Sequence, residues 1–154
     1  MKRRTFVKGS MASVALAVAA GAGLLHPRRV MAASWPEAAL SADNVDAALQ
    51  AAFGTTEMTD SDDVTIKAPL QAENGAVVPI QVTTTLDADT IAVISEKNPV
   101  PMVSMLNAGD GVGGVYSVRI KMGETSPVHC VVRSGDKLFR KTQEIKVTVG
   151  GCGG

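Results

Sequence analysis

Aromatic side chains are scarce in this 154-residue chain: one Trp, one Tyr and three Phe. Its core therefore has to be packed mainly from Val, Ile, Leu and Met rather than from rings. Cysteine is scarcer still. Cys130 and Cys152 are the only two, which excludes a disulfide-dense scaffold and leaves at most one bridge. Histidine is limited to His26 and His129. No Gly-x-Ser-x-Gly motif accompanies them, so a Ser-His-Asp hydrolase with His129 as base lacks a recognisable nucleophile. No internal repeat or low-complexity linker stands out.

Strong hydrophobicity is also missing at the N-terminus, where a membrane anchor would need it. Lys2-Arg3-Arg4-Thr5-Phe6-Val7-Lys8 is followed by an uncharged run from Gly9 to Leu25. That run is rich in Ala and Gly and falls short of the ~20 strongly apolar residues of a stable span. Val30-Met31-Ala32 then offers small residues where a signal peptidase reads. A basic start, a mildly apolar stretch and a cleavage site predict a removable signal over residues 1–32. The paired arginine with Phe6 marks it as a Tat-type signal, which implies export to the periplasm in the folded state.

Removal of the signal changes the charge. Six of the 15 basic residues lie before Ser34 and none of the 15 acidic ones does. The exported part keeps nine bases against 15 acids, a net of −6. An acidic domain without a basic patch argues against nucleic acid and against anionic membrane surfaces as partners.

What is present divides in two. Residues 33–58 form a helical segment, with Val45, Leu49, Ala52 and Phe53 at spacings of three and four. Ser41 or Asp43 suits the N-cap, and Gly54 closes the C-terminal end. Residues 59–149 are strand-like, rich in Val, Ile and Thr, with turn residues at short intervals. Seven strands are expected, near Val64–Ala68, Val77–Leu86, Thr90–Glu96, Met102–Ala108, Val115–Met122, Val128–Arg133 and Leu138–Val149. Tyr116, Val118, Ile120 and Met122 alternate with Ser117, Arg119 and Lys121, as a half-buried strand requires. Ile145, Val147 and Val149 alternate likewise with Lys146 and Thr148. Seven short strands in this length predict an all-β, immunoglobulin-like sandwich with a short N-terminal helix.

The chain ends Gly150-Gly151-Cys152-Gly153-Gly154. Four glycines around one cysteine have no packing rationale, because glycine has no side chain to bury and the largest conformational freedom to lose. The expectation is a flexible arm that carries an exposed thiol. From Val149 to Cys152 it reaches roughly 10 Å, long and thin enough to enter a narrow active-site channel. No Lys, Arg, His or helix N-terminus adjoins Cys152 to lower its pKa, so activation has to come from a partner's active site. Partner enzymes then supply the catalysis and this chain the handle. A non-covalent interaction module is the alternative, but it has no use for a thiol on a glycine arm.

The remaining candidates read as structural. Cys130 lies in phase with Val128 and Val132 and is expected to be a buried, inert hydrophobe. Hairpin pairing places it opposite about Arg140, roughly 30 Å from Val149 along the last strand. A bridge to Cys152 would need Cα atoms within ~7 Å. His129 points to the other face of the strand, so the pair cannot share a copper ion, and His129 reads as a sheet-surface residue. Asp60-Ser61-Asp62-Asp63 is followed by no acid at calcium-loop spacing and reads as a solvated turn. Trp35-Pro36 is expected to anchor the N-terminal segment.

Several of these segments also carry a family likeness. They are Ala68-Pro69-Leu70-Gln71-Ala72-Glu73-Asn74-Gly75-Ala76-Val77-Val78-Pro79, Glu96-Lys97-Asn98-Pro99-Val100-Pro101, Arg119-Ile120-Lys121-Met122 and the run from Val147 to Gly154. With them the chain resembles the SoxY family, carrier subunits of the SoxYZ complex in bacterial sulfur oxidation. The resemblance implies an immunoglobulin-like fold and a heterodimer with a SoxZ-like subunit. It implies that Cys152 is the covalent attachment site and that Gly150, Gly151, Gly153 and Gly154 form the carrier arm. SoxAX would conjugate thiosulfate to the thiol and SoxB would release sulfate, with a sulfane dehydrogenase in some systems. The carrier itself would hold no cofactor or metal. Cys130 departs from the family pattern, which leads one to expect an alanine-like residue there.

Overall fold

The computed structural model describes residues 36–108 and 114–148. The expected signal, Trp35, Val149 and the Gly150–Gly154 arm lie outside these residues. All seven expected strands are present, as β2 (Val64–Lys67), β4 (Val78–Thr84), β5 (Thr90–Ser95), β6 (Met102–Asn107), β7 (Val115–Ile120), β8 (Ser126–Ser134) and β9 (Lys137–Val147). Two strands of two residues join them, β1 (Thr59–Asp60) and β3 (Gln71–Ala72).

The strands form two sheets. One has the order β1-β9-β8-β5-β6 with β3 also paired to β9, and the other has the order β2-β4-β7. The β2-to-β3 segment therefore changes sheets, leaving β4 after Lys67 and joining β9 at Gln71. Both short strands run parallel to β9. The architecture is an immunoglobulin-like sandwich.

The core between the sheets is aliphatic, as the shortage of rings requires. Val64, Ile80, Val82, Ile91, Val93, Val128, Val132 and Ile145 meet there together with Cys130. A second core lies on the other side of the larger sheet. Ala92, Ile94, Val131 and Leu138 face outward from it and are covered by Ala39, Ala48 and Leu49 of the helices. All six residues of β5 are buried for this reason. A strand covered on both faces reads as a continuous apolar run instead of an alternation. Full burial of a side chain such as Leu49 contributes about 1.5–3 kcal/mol.

The helical segment is interrupted. α1 (Glu37–Leu40) ends at Ser41, whose hydroxyl donates to the Glu37 carbonyl at 2.7 Å. α2 (Val45–Phe53) begins after Asn44, whose side-chain oxygen accepts from the Ala47 N–H at 2.8 Å. Asn44 is thus the N-cap, one residue beyond the expected Asp43, because its extended backbone aims the amide at the first turn. Gly54 takes φ +74° at the C-terminal end, the left-handed conformation that glycine adopts without strain.

The acidic turn is more than a solvated linker. Arg140 Nε donates to Asp60 Oδ1 and Lys141 Nζ to Asp62 Oδ1, both at 2.6 Å, which ties β1 and the turn after it to β9. The Arg140 hydrogen bond holds the Asp60 carboxyl below its usual range, and Lys141 does the same for Asp62. Both carboxylates are on the surface, so solvent screening keeps their contribution to stability small.

Candidate functional site

Of the two thiols that could hold a substrate, the fold disposes of one. Cys130 sits near the middle of β8, fully buried, with its side chain in the core between the sheets. Burial pushes its pKa up to about 12, so the nucleophilic thiolate is essentially unpopulated near neutrality. Its cross-strand partner is Lys141, one residue past the expected Arg140. From Lys141 the strand runs seven residues to Thr148, about 23 Å at the extended rise. Four more residues span at most about 14 Å, which leaves Cys152 short of the ~7 Å Cα separation a bridge requires. Cys130 is a core residue and Cys152 is the remaining thiol.

Cys152 and its four glycines lie outside the described residues, and the strand that leads toward them is described as far as Thr148. β3 clamps the end of that strand, β9. Lys146 N–H donates to the Leu70 carbonyl at 2.9 Å, and Thr148 N–H and hydroxyl donate to the Ala72 carbonyl at 3.2 and 3.1 Å. From the other side, Val147 N–H donates to the Thr125 hydroxyl at 3.0 Å.

The Glu73-Asn74-Gly75 turn follows directly. Asn74 accepts from the Ala76 N–H at 2.9 Å, which closes the turn with its own side chain. Gly75 then passes so close to the end of β9 that a Cβ there would lie 2.9 Å from Val147 Cγ1. The Lys97-Asn98-Pro99 segment arrives at the same end of the sandwich. Asn98 donates to the Lys121 carbonyl at 2.7 Å and accepts from Gly123 N–H at 3.3 Å. The Gly75 turn and the loop after Gly123 therefore both touch the end of β9, and Asn98 holds the second of these in place. Their convergence was not legible in the sequence, where they are up to about fifty residues apart.

His129 is not a surface residue. Its ring lies 2.8 Å from the Thr142 hydroxyl through Nδ1 and 3.2 Å from Glu96 through Nε2, and the residue is 9% exposed. Asn44, Val45 and Asp46 at the start of α2 line the adjoining cavity. The missed signal was the uninterrupted apolar run of β5, which already implied a cover over this face. As expected, His129 and Cys130 face opposite ways, Cys130 into the core between the sheets and His129 toward the cavity beside α2.

Comparison with known proteins decides the family. The model of the family described as sulfur oxidation protein SoxY matches residues 49–152. The solved sulfur carrier protein SoxY from Chlorobium limicola f thiosulfatophilum is 37% identical, with a TM-score of 0.61. That match covers 68% of this chain and 96% of the other. The chain belongs to the SoxY family. It is accordingly a sulfur-oxidation protein of the carrier kind. A superoxide reductase (neelaredoxin) from Ignicoccus hospitalis shares the fold alone, at 13% identity and TM-score 0.51, covering 58% of this chain and 94% of that one. No curated protein is similar enough to count as a match. The SoxY-family match extends through Cys152, so the terminal cysteine lies within the region of family likeness.

Proposed function

We propose that this SoxY-family chain is an exported periplasmic carrier that holds thiosulfate-derived sulfur covalently on Cys152 and presents it to separate enzymes. The observation that carries this reading is the contrast between the two thiols. Cys130 is sealed in the core with its pKa at about 12. Cys152 stands between two glycine pairs, six positions beyond the β3 clamp on Lys146. A braced base and a thin arm suit a group that must enter several active sites while the sandwich stays outside.

The chemistry is then an oxidation followed by a hydrolysis. The Cys152 thiol loses its proton and forms an S–S bond to the outer sulfur of thiosulfate. Two electrons leave to the haem of a SoxAX-type enzyme. A SoxB-type hydrolase next adds water across the bond to the sulfonate sulfur, which releases sulfate and two protons and leaves a persulfide anion on the arm. A SoxZ-like subunit is the expected heterodimer partner, and a sulfane dehydrogenase would oxidise the remaining sulfur where one is present. The Tat-type signal supports delivery of the folded carrier to the periplasm.

The test is the intact mass of the exported protein after incubation with thiosulfate and the oxidising partners. The expected adduct maps to Cys152 and disappears in Cys152→Ser. An adduct that persists in that variant and maps to Cys130 overturns the assignment.

A further inference from the structure

The outer face of the three-stranded sheet differs from the rest of this acidic chain. β2 leaves the sheet at Lys67, so residues 78–80 of β4 pair with β7 alone. The departure opens a groove of about 760 Å³ between Ala68-Pro69 and the Pro79 stretch. Lys67, Gln81 and Ser117 lie in one register row across it, and Arg119 lies opposite Pro79 in the next. The outward positions of these strands hold two cations, Lys67 and Arg119, and no carboxylate. Neither cation has a carboxylate partner among the described residues. Leu70, 73% exposed, follows Pro69 of the lining, and Val77, 51% exposed, lies two residues before Pro79.

We propose that this groove is the docking surface for a partner protein that presents carboxylates beside an apolar side chain. Carboxylates on a partner would pair with the two free cations, and an apolar side chain between them would cover the Pro69–Leu70 and Val77–Pro79 surfaces. With a net of −6 over the exported part, the remainder of the chain repels an acidic partner and so steers it to this face. Pairing of an added strand is disfavoured, because Pro79 has no N–H to offer at the place where β4 is open. Recognition therefore runs through side chains. The proposal draws on the carrier reading only for the existence of partner proteins.

A photo-crosslinking residue at Ser117 of the full-length chain, in cells that carry the rest of the sulfur-oxidation system, tests it. The cross-linked protein is identified by mass spectrometry, purified and titrated against the exported chain. The expected cross-linked peptide contains Asp or Glu. Binding is expected to weaken at least about tenfold in Lys67→Glu with Arg119→Glu, and to survive in Lys67→Arg with Arg119→Lys. No cross-link, a second copy of this chain, a peptide without acid, or affinity indifferent to charge reversal each overturns the proposal. The Cys152 adduct mass, read on the same variants, reports separately on the carrier function.

Discussion

Gly75 packs against the backbone of Met122, and its carbonyl accepts from the Met122 N–H at 2.7 Å. A side chain at Gly75 would collide with the Met122 carbonyl and press on Val147. This one approach joins the turn after β3, the end of β7 and the end of β9.

Gly75→Ala is therefore expected to destabilise the fold by about 1–3 kcal/mol through overpacking. Urea unfolding measures the loss. Hydrogen exchange should show the Val147 amide, held by Thr125, opening faster than amides in the middle of β8. Unchanged exchange at Val147 would mean that Gly75 does not brace the arm base.

Alkaline stability reports on Cys130. In the folded state its pKa is about 12, against 9.0 for a free thiol, so the native state binds the proton more tightly than the unfolded chain. Stability is unaffected by this group below about pH 9 and is lost as pH rises toward about 12, at about 1.4 kcal/mol per unit. Cys130→Val should flatten the difference in stability between pH 8 and pH 10.5, measured by urea unfolding beside the parent chain. The same substitution should leave adduct formation on Cys152 unchanged.

Helix capping is testable at Asn44. Its side chain satisfies the Ala47 N–H, so Asn44→Ala is expected to cost about 1 kcal/mol. Because α2 supplies Ala48 and Leu49 to the outer core, the loss should appear as a lower midpoint of the whole cooperative transition. A separate early transition for the helix would contradict that coupling.

Stiffening the arm separates reactivity from delivery. Gly150→Pro with Gly151→Pro should leave the reaction of Cys152 with a small thiol reagent within about twofold, since the thiol stays accessible. Transfer to the hydrolase should fall by about a hundredfold, because misplacement by an ångström or so is enough for such a loss. Single-turnover sulfate release measures it, and an unchanged rate would remove the case for a flexible arm.

Much of the fold was written locally. The alternation in β7 and β9, the turn at Ser134-Gly135-Asp136 with Gly135 at φ +59°, and the end of α2 at Gly54 each depend on a few adjacent residues. So does the tail, because four glycines around a cysteine need no tertiary contact to be recognised. The Asn44 cap was missed by one residue, since Asp43 and Asn44 cap equally well in principle and only the backbone path chooses between them. β1 and β3 were missed because two-residue strands have no periodicity to read.

By itself, the order of residues determined the sandwich class and the terminal cysteine as the candidate thiol, both of which follow from local pattern and composition. Only the tertiary structure decided that His129 is buried beside the start of α2, and that the loops at Gly75, Asn98 and Gly123 meet just beyond the end of β7. Those facts depend on which distant segments share a core. Burial and register arise between segments, and no stretch of sequence contains them alone.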